Sequence, residues 1–181
     1  MPITRAQFFA LTGLDVDTHT ALKRRDLMPL PNQNTRAYTP FEAYAYLLAA
    51  HFSELRAGDR SGSCRIVRDM LLGIVERADM IEASTVGFRL GGEAPEVFCG
   101  RVWGVGGGYE PFVGTKAKLA EFLSDPQFPD PVDIILTSAT AGLVVLQARA
   151  ARAGIDLTDM WPDTHTFRVS QGTRERPEDE A

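Results

Sequence analysis

Cysteine and histidine are scarce in this chain of 181 residues, which has two cysteines and three histidines. Cys64 lies on a predicted helix and Cys99 on a predicted strand, and their spacing is not that of metal ligands. We therefore predict two free thiols. His19, His51 and His165 are too scattered along the sequence to suggest a zinc site. We therefore expect no disulfide scaffold, no metal and no cofactor.

Long apolar runs are also missing, since none approaches the roughly 18 to 20 residues that cross a bilayer. The amino terminus has no basic stretch followed by an apolar one. We therefore expect a cytoplasmic protein without a membrane partner. Hydrophobic residues make up 44% and charged residues 24% of the chain, a balance typical of soluble proteins that bury a core.

Positive charge is scarce overall, with a net charge of -5, but it is unevenly distributed. Residues 1–68 hold nine Lys and Arg against six Asp and Glu, a balance of +3, whereas residues 69–181 hold ten against eighteen, a balance of -8. Attraction to phosphate requires positive charge at the binding surface. A nucleic-acid-binding segment is therefore expected only in the first part.

Motifs of catalysis are absent as well. The run Gly104–Gly108 has no Lys-Ser/Thr after it and opens no helix, so it indicates a flexible loop and not a phosphate-binding one. The Ser, His and Asp residues of the second part lack the context of a nucleophile elbow. We predict that the protein is not an enzyme and has no catalytic residues.

The first 25 residues contain signals for the start and end of helices. Thr4 and Gln7 have the spacing of a capping box, which predicts the start of a short helix. Gly13 suits the left-handed residue that ends it, and Asp15 can cap a second helix over residues 16–25. The sequence predicts a helix, a tight turn and a second helix.

Turn-forming residues then separate this pair from a third helix. The segment 30–37, Leu-Pro-Asn-Gln-Asn-Thr-Arg-Ala, favours a small hairpin, which would be a wing. Thr39 and Glu42 form another capping box with Pro40 at the first helical position. A helix beginning there would complete a compact unit.

The polar, Gly/Ser-rich stretch near residue 60 predicts a domain boundary. The second part combines predicted helices over 64–83, 116–122 and 140–152 with predicted strands over 85–90, 97–103, 109–113 and 132–136, and the last of these strands is predicted to be buried. We therefore predict an α+β fold with four segments: a winged helix-turn-helix over 1–57, a linker over 58–63, an α+β domain with a smaller sheet over 64–170 and a disordered acidic tail over 171–181.

Several of these landmarks together resemble the DNA-binding domain of MerR-type regulators and of the related phage excisionases. They are Thr4 and Gln7, Thr12-Gly13-Leu14, Thr18 and Arg24, Leu27-Met28-Pro29, and Arg36-Ala37-Tyr38-Thr39-Pro40-Phe41-Glu42. The resemblance covers only the first 55 or so residues. It implies that the second helix enters the major groove, and that Arg36 and Tyr38 contact the sugar-phosphate backbone from the wing.

The side chains of the second helix suit this role on chemical grounds. Thr18 and Thr20 carry hydroxyls that can hydrogen-bond base edges, whereas Lys23 and Arg24 suit phosphate oxygens. The chain departs from the family at His19, where Leu is usual, and at Thr20, where Arg is usual. We expect His19 to pack as a polar substitute for an apolar residue, and Asp15 to cap the helix and not to contact DNA.

These features predict a transcription regulator that binds double-stranded DNA as a homodimer across two half-sites. RNA polymerase or another protein is a further expected partner. An excisionase-like architectural protein is an alternative, although such proteins are usually little longer than the module itself. A third alternative is a ligand or partner sensor whose second domain has an aromatic pocket, formed by Phe88, Phe98, Trp103, Tyr109 and Phe112.

Overall fold

Helices outnumber strands in the computed structural model, which describes residues 2–30, 37–55, 59–91, 95–126 and 131–172. The elements in chain order are β1 (Ile3–Thr4), α1 (Arg5–Thr12), α2 (Val16–Arg24), β2 (Ala37–Tyr38), α3 (Pro40–Leu55), α4 (Arg60–Val75), α5 (Ala78–Leu90), β3 (Val97–Gly104), β4 (Tyr109–Thr115), α6 (Lys116–Leu123), β5 (Pro131–Ser138), α7 (Ala139–Ala153) and α8 (Thr164–Gly172). They form two small antiparallel sheets among the helices. The predicted α+β class is confirmed.

The first two helices begin and end where local capping chemistry places them. The Gln7 amide donates to Thr4 Oγ1 at 3.3 Å, and the Thr4 amide donates to Gln7 Oε1 at 2.8 Å, which completes the predicted capping box. Gly13 ends α1 with φ of 68°, a left-handed value that a residue without Cβ adopts without strain. Asp15 caps α2 by accepting from the Thr18 amide at 2.7 Å. The predicted helix, turn and helix are confirmed.

A two-stranded sheet joins the chain before α1 to the chain before α3. β1 and β2 are antiparallel, with Ile3 opposite Tyr38 and Thr4 opposite Ala37. The start of α1 is thereby fixed next to the start of α3. The predicted hairpin over 30–37 falls mostly on residues 31–36, which lie outside the described residues.

Helix α3 occupies the centre of the fold. Its residues 40–49 are all buried, because α1, α4 and α7 pack around it. The Tyr44 hydroxyl donates to the Ala139 carbonyl at 2.7 Å, which joins α3 to the start of α7. Buried residues from before and after the predicted domain boundary form one hydrophobic cluster around this helix.

Helix α4 begins inside the segment that the sequence predicts to be a linker. Asp59 caps it by accepting from the Gly62 amide at 2.8 Å, so Arg60 to Ser63 form its first turn. Gly62 and Ser63 are buried. A Cβ at Gly62 would lie 2.1 Å from Asp59 Oδ2, and the Ser63 hydroxyl donates to the Asp59 carbonyl at 2.6 Å, so the small residues here accommodate the helix cap.

Two predictions between residues 64 and 90 are wrong. The helix predicted over 64–83 is divided, since α4 ends at Val75 and α5 begins at Ala78. The strand predicted over 85–90 is helical and belongs to α5. Its β-branched and aromatic residues favour strand locally, but α5 packs against α7, and tertiary packing overrides such weak local preferences.

The second sheet has the strand order β4-β3-β5, and both pairings are antiparallel. A Cβ at Gly100 in the central strand would lie 1.9 Å from the Ile135 carbonyl oxygen, so only glycine permits this pairing. Residues 105–108 turn the chain from β3 to β4, as predicted. Strand β5 is also confirmed, but its predicted burial is wrong: Val132 is 65% exposed on this outer strand.

The other predicted helices, α6 and α7, are confirmed, and residues 173–181 of the predicted tail lie outside the described residues. Cys64 and Cys99 are free, as predicted, and both are buried. Removal from water raises the pKa of each thiol to about 12, because the thiolate is poorly solvated there. Both therefore act as small apolar residues at neutral pH.

Candidate nucleic-acid interface

Helix α2 has one buried face and one exposed face. His19 and Leu22 are buried, whereas Asp17, Ala21 and Arg24 are exposed along the opposite side. The spacing of three or four residues places these exposed side chains in one stripe. Any partner of α2 would therefore meet Asp17, Ala21 and Arg24 first.

His19 packs in the core, as expected. Its ring centroid lies 5.6 Å from that of Phe8 and 5.7 Å from that of Tyr38, and the side chain is only 3% exposed. Its Nε2 has no hydrogen-bond partner among the described residues. Burial lowers the pKa of His19, and the nearby charges of Arg5 and Lys23 lower it further, so the imidazole is neutral at pH 7.

Thr18 is held at the amino-terminal end of α2. Its hydroxyl donates to Asp15 Oδ2 at 2.6 Å and accepts from Arg60 Nη1 at 2.9 Å. The hydrogen bonds from Thr18 lower the pKa of Asp15, and the charge of Arg60 contributes less. Thr18 thus belongs to a capping network that also includes the first residue of α4.

Thr20, Lys23 and Arg24 remain accessible. The Thr20 hydroxyl donates its only proton to the Val16 carbonyl at 2.8 Å, so its oxygen is left to accept a hydrogen bond. Lys23 is half-buried and Arg24 is exposed, both in the last turn of α2. Cations at this end interact favourably with the helix dipole. Arg25, the capping residue that follows, is also exposed.

Tyr38, which the resemblance implies as a contact to the sugar-phosphate backbone, is almost fully buried. The side chain is 2% exposed, and its ring stacks on Phe8 with centroids 4.3 Å apart. Burial raises the pKa of its hydroxyl. Tyr38 therefore is the buried residue of β2 and belongs to the core. Arg36, the other residue expected in the wing, lies outside the described residues.

Two arginines of α4 hold the ends of α2, and sequence patterns gave no sign of this contact. Arg60 lies 3.7 Å from Asp15 and bonds Thr18 at the start of α2. Arg68 donates to the Met28 carbonyl at 2.6 Å and to the Asp26 carbonyl at 2.8 Å, just after α2 ends. We call these contacts the α4 clamp. Eight residues of helix span about 12 Å, close to the length of α2.

Other kinds of site find little support in the described ranges. They contain no group of three His, Cys, Asp or Glu side chains that could hold a metal ion. They also contain no helix with the length and hydrophobicity of a membrane span. The aromatic residues expected to line one pocket are dispersed: Phe88 is 52% exposed on α5, whereas Phe112 packs on Phe122 with centroids 5.8 Å apart.

Comparisons with protein-family models, with curated proteins and with solved structures give no match to this chain. Its function is therefore to be inferred from the geometry and chemistry of its own residues.

Proposed function

We propose that this protein is a sequence-specific DNA-binding regulator whose first 55 or so residues act as a winged helix-turn-helix of the MerR-like type. The observation that carries the proposal is the arrangement of α1, the Gly13 turn and α2. His19 and Leu22 anchor α2 on one side, and within the described residues the opposite side is exposed and can meet a partner. An α-helix of this kind fits the major groove of B-DNA.

Each accessible side chain of α2 then has a distinct role. Lys23 and Arg24 bind phosphate oxygens, which fixes the helix on the duplex without reading sequence. Thr20 accepts a hydrogen bond from an exocyclic amino group, such as N6 of adenine or N4 of cytosine, because its own proton is already donated to Val16. Arg36 is proposed as a wing contact from its position in the Arg-x-Tyr sequence alone.

In this proposal Thr18 and Tyr38 hold other parts of the chain in position and do not themselves contact DNA. Thr18 stabilises the start of α2 within the α4 clamp. Tyr38 supports the chain beyond the predicted wing from inside the core. Asp17 lies on the exposed stripe and repels phosphate, which favours a docking in which the cationic end of α2 is nearest the backbone.

A single module of this size makes few contacts, so two copies bound to two half-sites are expected. Exposed apolar side chains offer a surface for that association. Val132 and Ile134 on the outer strand β5 are 65% and 39% exposed, and Leu55 at the end of α3 is 60% exposed. Leu55 and Ile134 line one surface depression. An unpaired strand edge is a common site of pairing with another chain.

Salt-dependent DNA binding tests the proposal. Bound sites mapped across a genome would supply a candidate operator, and fluorescence anisotropy would measure affinity at several salt concentrations. Arg24→Ala should reduce the slope of log affinity against log salt by about 1, similarly on operator and unrelated DNA.

The matched control is Lys118→Ala, which removes one positive charge from α6, where Lys118 pairs with Glu121 at 2.6 Å. Its slope should equal that of the unmodified protein. Equal slopes for Arg24→Ala and Lys118→Ala would remove α2 from the interface, and failure of the unmodified protein to bind any DNA would overturn the proposed function itself.

A further inference from the structure

Three basic side chains follow one another at the carboxyl end of α2. Lys23 and Arg24 belong to its last turn, and Arg25 is its capping residue. We call these three residues the basic end of α2. Arg24 and Arg25 are exposed and Lys23 is half-buried. Within the described ranges none of the three forms an ion pair, so their charges are available to an acidic partner.

Arg68 brings a fourth positive charge to the same place. Its Nη2 donates to the Asp26 carbonyl at 2.8 Å, directly after the basic end. Asp26 is the only acidic residue between positions 18 and 30, so the local balance stays positive. Positive charges placed this closely repel one another, and an acidic segment lying beside them would offset that repulsion.

An acidic segment of the same chain follows helix α8. Residues 175–180 read Glu-Arg-Pro-Glu-Asp-Glu, in which four acidic residues stand against one basic residue, a balance of -3. We call these residues the acidic segment, and they lie outside the described residues. Apart from Pro177 they have no apolar side chain, so charge decides what they bind. Their sign is opposite to that of the basic end of α2.

Helix α8 starts the acidic segment within reach of α2. It packs on α4, where Arg168 pairs with Glu76 just after α4 ends. Arg68 lies eight residues earlier on this side of the fold, which corresponds to about 12 Å of helix. The eight residues that follow Gly172 span up to about 28 Å when extended. The chain is therefore long enough to bring the acidic segment to the end of α2.

We propose that the acidic segment binds the basic end of α2 and competes there with DNA. Its carboxylates pair with Lys23, Arg24 and Arg25, two of which are the proposed phosphate contacts. Because both partners belong to one chain, their effective concentration is about millimolar, so even weak ion pairs give partial occupancy. The contact itself does not depend on the proposed function, whereas competition with DNA rests on it.

A spin label tests the contact without DNA. A nitroxide is attached to the thiol of Ala181→Cys, since Cys64 and Cys99 are buried and should not react. The label should broaden the amide signals of the basic end of α2 at about 50 mM salt, and it should leave those of α6 sharp. Salt at about 500 mM should restore the signals, because it screens ion pairs between exposed groups.

Neutralising the acidic segment tests both the contact and the competition. The neutralised variant carries Glu178→Gln, Asp179→Asn and Glu180→Gln in the full chain. With the spin label it should show no broadening at the basic end of α2. Without the label it should bind DNA about three to ten times more tightly than the unmodified protein at about 50 mM salt, as measured by fluorescence anisotropy. At about 500 mM salt the difference should fall below about twofold.

A control variant separates a local contact from the overall charge of the chain. It loses the same number of acidic side chains at exposed positions of α5, β4 and α6, by Asp79→Asn, Glu110→Gln and Glu121→Gln. Its net charge equals that of the neutralised variant. Without a lost contact at α2, its DNA affinity should stay within about twofold of the unmodified protein.

Three results would overturn the proposal. They are an absence of broadening at the basic end of α2, broadening that persists in the neutralised variant, and equal DNA affinities of the neutralised and control variants. Failure of the unmodified protein to bind any DNA would instead overturn the proposed function. The spin-label experiment would still decide whether the contact forms.

Discussion

Arg68 Nη2 donates a hydrogen bond of 2.8 Å to the Asp26 carbonyl, which lies 42 residues earlier in the chain. Arg60, at the other end of the α4 clamp, bonds Thr18 at 2.9 Å. Helix α4 thus determines where both ends of α2 lie. The orientation of the proposed recognition helix therefore depends on residues outside the segment that resembles a DNA-binding domain.

The Arg68 contacts should be measurable as stability. Arg68→Ala leaves the Asp26 and Met28 carbonyls without their charged donor, so the free energy of unfolding should fall by about 1 to 2 kcal/mol. Arg65→Ala, an exposed arginine on the same helix, should change it by less than about 0.5 kcal/mol. Urea unfolding measures the free energy of unfolding of both variants. Equal losses in the two variants would show that the clamp does not stabilise the fold.

Acid should weaken the fold partly through His19. Its pKa in the folded chain is lowered from 6.5, chiefly by burial, so the unfolded chain takes up this proton at a higher pH. Stability should therefore be lost as the pH falls below about 6.5 toward the lowered pKa. His19→Leu should remove this part of the pH dependence in urea unfolding from pH 7.5 to 5.

The same variant has a second expected effect. Because Nε2 of His19 has no described partner, Leu should also stabilise the fold at pH 7 by about 1 kcal/mol. His165→Leu, at an exposed position, is the control for the loss of a histidine and should change the free energy of unfolding at pH 7 by less than about 0.5 kcal/mol. An unchanged acid profile in His19→Leu would contradict the assignment.

Two threonines of α2 should differ in what they contribute. Thr20→Val should reduce discrimination between operator and unrelated DNA by about 1 kcal/mol, because it removes the accepting oxygen. Thr18→Val should instead lower stability by up to about 1 kcal/mol, since it breaks the bonds to Asp15 and Arg60. Fluorescence anisotropy on both DNAs measures discrimination, and urea unfolding measures stability. If Thr18→Val reduced discrimination and Thr20→Val reduced stability, the proposed roles of the two threonines would be exchanged.

The isolated fragment 1–57 should not fold cooperatively. Residues 40–49 of α3 are buried by elements from both parts of the chain, so the fragment would expose the face that packs on α4 and α7. We expect strong binding of a hydrophobic dye and a broad thermal transition, measured by fluorescence and circular dichroism. A sharp two-state transition with little dye binding would show that the fragment is an independent domain.

Self-association can be tested at the outer strand. Light scattering of the whole protein should show a dimer, and Ile134→Lys should shift it to monomer, because a charge on an edge strand opposes pairing. Val105→Lys introduces the same charge at a turn residue that is 64% exposed, and it should leave the dimer intact. If the unmodified protein were a monomer, this result would contradict the proposed binding of two copies to two half-sites.

Features set by neighbouring residues were predictable from sequence. The caps at Thr4, Asp15 and Thr39 involve side chains within three or four positions, so their helices begin where predicted. The burial of His19 could also be inferred. Features set across the chain were not predictable, and the helical 85–90 segment is an example, because packing on α7 decides its structure.

The candidate site also combines features that local sequence predicts with features that depend on distant residues. Exposure of Arg24 follows from the period of a helix packed on one side, but the burial of Tyr38 depends on Phe8 and on pairing with β1. The α4 clamp spans about forty residues and is made largely to backbone carbonyls, which leave no trace in side-chain patterns.

The α4 clamp also implies that the binding of a partner to α2 and the local unfolding of α4 are coupled. If α4 fixes α2 for a partner, a partner that holds α2 must stabilise α4 by the same coupling free energy. Amide protons of α4 would then exchange more slowly with solvent when α2 is occupied, even where α4 touches no partner. Hydrogen exchange at α4 thus reports occupancy of a surface on a different helix.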